Sequence, residues 1–153
     1  MINLLEEIEK LMKETPLPYE RKPVLMDYRK DGFYQQIAIP CSPRSIITIE
    51  MYQDGVQINC YAYENNQWWD YQLGHVLYLR TPKGLKVIEI PKNIDSLSLD
   101  ERRMYGIKYT YNMLLQFGDD VLKGGLEWTK EYPYEPFRAG DITYFLEKNN
   151  ITF

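Results

Sequence analysis

The chain is poor in the residues from which catalytic and metal sites are most often built. Among 153 residues it has one histidine and two cysteines. Cys41 and Cys60 form no CxxC pair and stand at no Cys/His ligand spacing, so no metal site or dithiol motif is indicated. No GxSxG turn, HExxH helix, EF-hand loop, GxGxxG fingerprint or basic RNP-type motif occurs. The Gly124-Gly125 pair follows a helical pattern instead of preceding one, which makes it a C-cap and not a phosphate loop. Basic charge is also short, with 18 Lys and Arg against 22 Asp and Glu. The net charge of -4 disfavours direct DNA or RNA binding, which needs a basic footprint. No apolar run approaches the ~20 residues of a membrane-spanning helix. The start, MINLLEEIEKLMKE, carries acidic residues where a signal peptide has a basic segment and an unbroken apolar run. These absences point to a cytoplasmic protein with reduced thiols, or one delivered to its place without a classical signal, with no cofactor and no membrane partner.

Hydrophobic content of 44% and charged content of 26% are ordinary for one globular domain over residues 1–153. Aromatics reach 14%, with 14 tyrosines. Tyrosine combines large contact area, low rotamer entropy and a hydroxyl, which suits recognition surfaces as well as a tyrosine-rich core. Ile2, Leu5, Ile8, Leu11 and Met12 recur at helical spacing over residues 2–14, and Thr15-Pro16 stops that helix. Residues 16–32 hold prolines and charges and read as an irregular connector. Ser98-Leu-Asp-Glu101 is a capping box for a long helix carrying Met104, Ile107, Tyr111, Leu114, Phe117 and Val121, closed by Gly124-Gly125. Residues 126–139 read as an aromatic, proline-rich loop. Asp141 caps a short last helix.

Between these helices the period changes to two. Asp54-Gly55 separates two alternating runs and fits a type I′ hairpin turn. That turn would set Gln53 opposite Val56, Tyr52 opposite Gln57, and so on to Ile47 opposite Ala62. One face then collects Ile47, Ile49, Met51, Val56, Ile58, Cys60 and Ala62. The other collects Thr48, Glu50, Tyr52, Gln57, Asn59, Tyr61 and Tyr63. Further strands are expected at 33–39, 67–73, 76–80 and 85–90, with Gly74-His75 as a bulge or tight turn. The expected fold is α+β. An antiparallel meander of about five strands carries an N-terminal helix, a long helix after the sheet and a short C-terminal helix.

In ENNQWWDYQLGH, residues 64–75, adjacent tryptophans in a strand must point to opposite faces. Trp69, Tyr71 and Leu73 form the apolar set. Trp68, Asp70 and Gln72 join the polar face. His75 offers a general base, or fills a turn after Gly74. Cys60 is in phase with the apolar face and reads as core. Cys41, in PCSPR, has only Arg44 nearby to activate it. Glu50 and Asp70 share the polar face and form a candidate acid–base pair for a glycoside, or simply solvated charges. Asp119-Asp120 diverge by about 100° on a helix and read as solvated, not as a metal pair.

The surface that gathers these features is aromatic, polar and slightly acidic: Glu50, Tyr52, Gln57, Asn59, Tyr61, Tyr63, Trp68 and Asp70. Such chemistry suits hot spots at protein interfaces. In size, acidity, tyrosine content and lack of catalytic motifs, the chain is similar in kind to small bacterial or phage inhibitors, including immunity and anti-defence proteins, although it shares no motif with them. The expected function is therefore a protein-binding inhibitor acting by surface complementarity, with no catalytic residue and no metal. Its partner would be a basic protein such as a nucleic-acid-processing enzyme, and a homodimer is another use of the face. The alternatives are a small-molecule or carbohydrate-binding domain, and an enzyme using His75 or Glu50 with Asp70. A further possibility for the polar face is that the loop at 126–139 folds over it.

Overall fold

A computed structural model describes residues 1–28 and 34–151. Helix α1 (Leu4–Glu14) begins where the Asn3 side chain accepts from Glu6 N at 3.1 Å. It buries Leu4 and Ile8. Six strands follow in strict neighbour order, all antiparallel: β1 (Val24–Tyr28), β2 (Gln35–Ser42), β3 (Ser45–Met51), β4 (Val56–Glu64), β5 (Gln67–Tyr71) and the short β6 (Phe137–Arg138). The fold is α+β with a meander sheet, as the alternation and capping signals require. β1 occupies the end of the segment expected to be irregular. Phe33, expected to open the next strand, lies outside the described residues.

The β3–β4 register differs from the expected one by two residues. Met51 pairs with Val56, Ile49 with Ile58 and Ile47 with Cys60. The reason lies in the turn. Neither Asp54 nor Gly55 takes positive φ, so no type I′ turn forms there. A wider loop is closed instead by Tyr52 N donating to Gly55 O at 2.7 Å. The two-residue turn with positive φ is Asn65-Asn66, at 53° and 59°, between the paired Glu64 and Gln67. A shift of two leaves every side chain on its own face, so the face assignments are unaffected.

The strand expected at 76–80 is instead helix α2 (Leu73–Arg80), and Gly74-His75 lies inside it. Its buried Leu73, Val76 and Leu77 stand at helical spacing. The strand expected at 85–90 is irregular chain. Helix α3 (Leu99–Phe117) starts with the full Ser98–Glu101 capping box and ends at Gly118, earlier than expected. A short helix α4 (Asp119–Leu122) continues to Gly124. Helix α5 (Thr143–Lys148) begins where Asp141 accepts from Thr143 N at 2.9 Å.

The main core lies between one sheet face and α1 to α4. It holds Ile37, Ile39, Ile47, Ile49, Met51, Ile58, Cys60, Ile107, Tyr111 and Leu114, among others. Trp128, fully buried, belongs to this core, so the aromatic segment after α4 packs on the helix side of the sheet. Arg80 locks that segment in place. Its guanidinium grips Asp120 at 2.7 Å and Glu131 at 2.6 Å, and donates to Phe117 O at 2.8 Å. Asp120, expected to be solvated, is thus a clamp residue. A smaller core on the opposite face joins Ala38, Ile46 and Trp68 to Ile142 and Phe145 of the α5 segment.

Gly124 sits at φ +89°, and a Cβ there would stand 2.5 Å from Ser42 Cβ. Gly124→Ala is expected to cost about 2 kcal/mol or more in urea unfolding. Gly140→Ala, where a Cβ meets nothing within 4 Å, is expected to stay within about 0.5 kcal/mol of wild type.

Candidate functional site

The register lays the second sheet face out in rows. Gln36, Glu50 and Gln57 form one line across β2, β3 and β4. Ala38, Thr48 and Asn59 form the next, and Ile46, Tyr61, Asp70 and Phe137 the one after. Tyr63 and Trp68 pair beyond them. The anticipated residues therefore do share a face, but they do not share an environment.

At the Tyr63–Trp68 end the face is covered mainly by the α5 segment, and of residues 126–139 only Ala139 packs on this cluster among the described residues. Trp68 is 6% exposed in the smaller core, with the Tyr63 ring against it at 5.2 Å. Both tryptophans of the WW pair are consequently packing residues, Trp69 on the main core and Trp68 on the second. Tyr61 packs partly against the same cluster. Its phenol is raised mainly by burial, with a Gln36 hydrogen bond opposing.

At the other end Gln36, Thr48, Glu50 and Asn59 are also buried, as a polar group. Glu50 is its centre. One carboxylate oxygen accepts from Gln36 Nε2 at 3.1 Å and from Asn59 Nδ2 at 3.4 Å. The other accepts from the Tyr52 hydroxyl. Gln57 Nε2 donates to Asn59 Oδ1 at 2.9 Å and so props the network from outside. Burial first, then this hydrogen bond to Glu50, drives the Tyr52 phenol upward. Glu50 is thus a carboxylate whose oxygens are already engaged by neutral donors. Gln36, absent from the anticipated site, was signalled only by a glutamine in alternation with Ile37 and Ile39.

Asp70 is treated differently. It is half-buried, and its Oδ1 has no hydrogen-bond partner. Burial, and secondarily the charge of Glu50, pushes its carboxyl up to about 6. Among the described residues no cation pairs with Asp70 or Glu50. Its cross-strand neighbours are Tyr61 on one side and Phe137 on the other. Phe137 is 64% exposed at the sheet edge. Thr48 Oγ1 is a second buried polar atom without a partner.

The remaining candidates lie elsewhere. His75 is exposed on α2, with Nε2 at 2.9 Å from Gln72 Oε1 and its ring 5.0 Å from that of Tyr134. Cys60 is fully buried beside Ser45 Oγ at 3.4 Å, and burial raises its thiol. Cys41 is buried as well, and its thiol is pushed up to about 11. Among the described residues no group of three or more His, Cys, Asp or Glu is placed to hold a metal ion. No described helix is long and apolar enough to cross a membrane. Comparison with known proteins returned no match, whether to a family, to a curated protein or to a solved structure.

Asp70 makes stability depend on pH in a definite direction. A folded-state carboxyl raised from 3.8 to about 6 holds its proton more tightly than the unfolded chain does. Its contribution is fully present below 3.8 and is lost as pH rises through about 6. Asp70→Asn is therefore expected to be more stable than wild type near neutral pH, by roughly 1 kcal/mol after solvent screening. The gap should close on acidification to pH 4. Urea unfolding of both proteins across that range checks this, and equal stability at every pH would remove the raised carboxyl.

Proposed function

We propose that this chain is a binding protein that captures a basic protein partner, with Asp70 as the anchor for an arginine or lysine side chain. The observation that supports this is the half-buried Asp70 carboxyl, whose buried Oδ1 has no hydrogen-bond partner and which no cation pairs with among the described residues. Desolvation of the charged carboxylate has already been incurred in the free protein. An incoming guanidinium would donate to the other oxygen, Oδ2, which is not closed off as Oδ1 is, and would relieve the repulsion from Glu50. Phe137 and Tyr61 flank Asp70 in register, and aromatic faces accept a guanidinium plane. The chain's net charge of -4 steers the same class of partner. Inhibition of a basic enzyme by covering its surface is the use that fits these features best.

Because Trp68 is a core residue, alanine there reports on folding. The informative substitutions are Asp70→Asn and Phe137→Ala. Tagged wild type and both variants would be used for affinity capture from lysates of the source cells and of any host. A protein retained by wild type should be lost by both variants, with Asp70→Asn melting no lower than wild type and Phe137→Ala still folded. Each substitution is expected to cost about 2 kcal/mol or more in binding. Retention should also fall as salt rises from about 0.15 M to 0.5 M, because the pair is charged. A captured protein that ignores both substitutions and salt would sink the proposal.

A further inference from the structure

A second feature of the molecule lies away from Asp70. Between the start of β4, helix α2 and the middle of α3 is a cavity of about 410 Å³. That volume falls in the range of small-ligand sites. Its walls come from three elements that pack for other reasons. Val56 and Ile58 belong to β4, and Leu77 and Met113 to the buried faces of α2 and α3. Tyr78 stands on α2 and Tyr109 on α3, and both rings line the space. Those two rings make no ring contact with each other, although tyrosines elsewhere in the chain do. Tyr78 is 69% exposed, a large apolar ring that its own fold leaves uncovered.

The lining contains no aspartate, glutamate, lysine or arginine, in a chain that is 26% charged. A phosphate or carboxylate ligand would find no cation there, and an ammonium would find no anion. The polar groups present are Gln57, Gln72, Thr110, the tyrosine hydroxyls and His75. Gln72 Oε1 lies 2.9 Å from His75 Nε2, and an amide oxygen can only accept. With that oxygen accepting, Nε2 is the donor of the pair. Rings of Tyr134 and Tyr132, at 5.0 and 6.3 Å, hold the imidazole edge-on. The site combines aromatic walls, an apolar floor and a rim of uncharged amide and hydroxyl groups.

We infer that this cavity binds an uncharged planar heteroaromatic molecule of one or two rings that carries an N–H donor. The ring lies against Tyr78 and Tyr109, and the donor is met by the amide and hydroxyl oxygens of Gln57, Gln72 and Thr110. Aromatic contact and burial supply the affinity. The absence of wall charge supplies the selectivity, because a charged analogue would lose hydration without gaining a partner.

Three probes with one ring system separate these elements: indole, indole-3-acetate and tryptamine. Each would be titrated into the ¹⁵N-labelled full-length chain, with the amides of Gly74, His75, Tyr109 and Thr110 as reporters. Indole should give saturable shifts at these positions, with both charged probes at least ten-fold weaker. Tyr78→Ala, which removes an exposed ring and leaves the core intact, should weaken indole at least five-fold. Equal binding of the three probes would overturn the inference. So would shifts centred elsewhere, no saturable shift up to the solubility limit, or indifference to Tyr78→Ala. None of these readouts involves Asp70 or a protein partner, so this inference and the proposed function stand or fall separately.

Discussion

Strand β3 is buried along its whole length, and both faces of the sheet have to be closed to keep it so. An antiparallel sheet can leave one face wet, but this one does not at its centre. Helices α1 to α4 close the first face with a conventional apolar core. The second is closed in two different ways. At one end α5 brings Ile142 and Phe145 down on Ala38, Ile46 and Trp68. At the other, polar side chains bury one another, with Glu50 at the centre of their hydrogen bonds. A buried polar group costs little when partnered and a great deal when not. That single constraint explains why Gln36, Asn59 and Tyr52 converge on one carboxylate. It also explains why Asp70 stands out: the network ends before reaching it.

The contrast between the two carboxylates is therefore one of supply. Glu50 lies at the crossing of two strand pairings that bring amide donors. Asp70 lies between Tyr61 and Phe137, near the end of the sheet, where its neighbours offer rings. The same alternation that buries hydrophobic residues on one side has placed an acid among aromatics on the other.

Much of the fold was legible because side-chain direction in a strand depends on parity alone. The register moved by two at Asp54-Gly55, and every face assignment survived. The turn itself was misjudged because Asp-Gly and Asn-Asn both tolerate positive φ, and only the backbone shows which pair uses it. VLYLR was read as a strand because a short apolar run with valine and tyrosine fits either structure. The helix shows once Leu73 is counted with Val76 and Leu77. β1 was hidden by the prolines around it. In the site, alternation correctly sorted Trp68 from Trp69, but parity gives a direction and says nothing of cover. The burial of Trp68 depends on α5, more than seventy residues away in the chain, and the Arg80 clamp depends on partners as distant as Glu131. Contacts of that reach leave no local trace in sequence.

The ties of the N-terminal segment have a consequence for how the chain is made. Every sheet pairing up to β5 joins consecutive strands, so each hairpin can close soon after its second strand emerges from a ribosome. The first 21 residues cannot settle on that schedule. The hydroxyl of Tyr111 donates to Thr15 O, Tyr19 reaches Asp119 at 3.0 Å, and Arg21 reaches Leu122 O at 2.6 Å. The segment synthesised first thus waits for partners about a hundred residues downstream. Until α3 and α4 arrive, α1 has only the sheet to shelter Leu4 and Ile8. During synthesis, the inner face of α1 and the apolar face of the sheet therefore stay partly open together until the second half of the chain covers both.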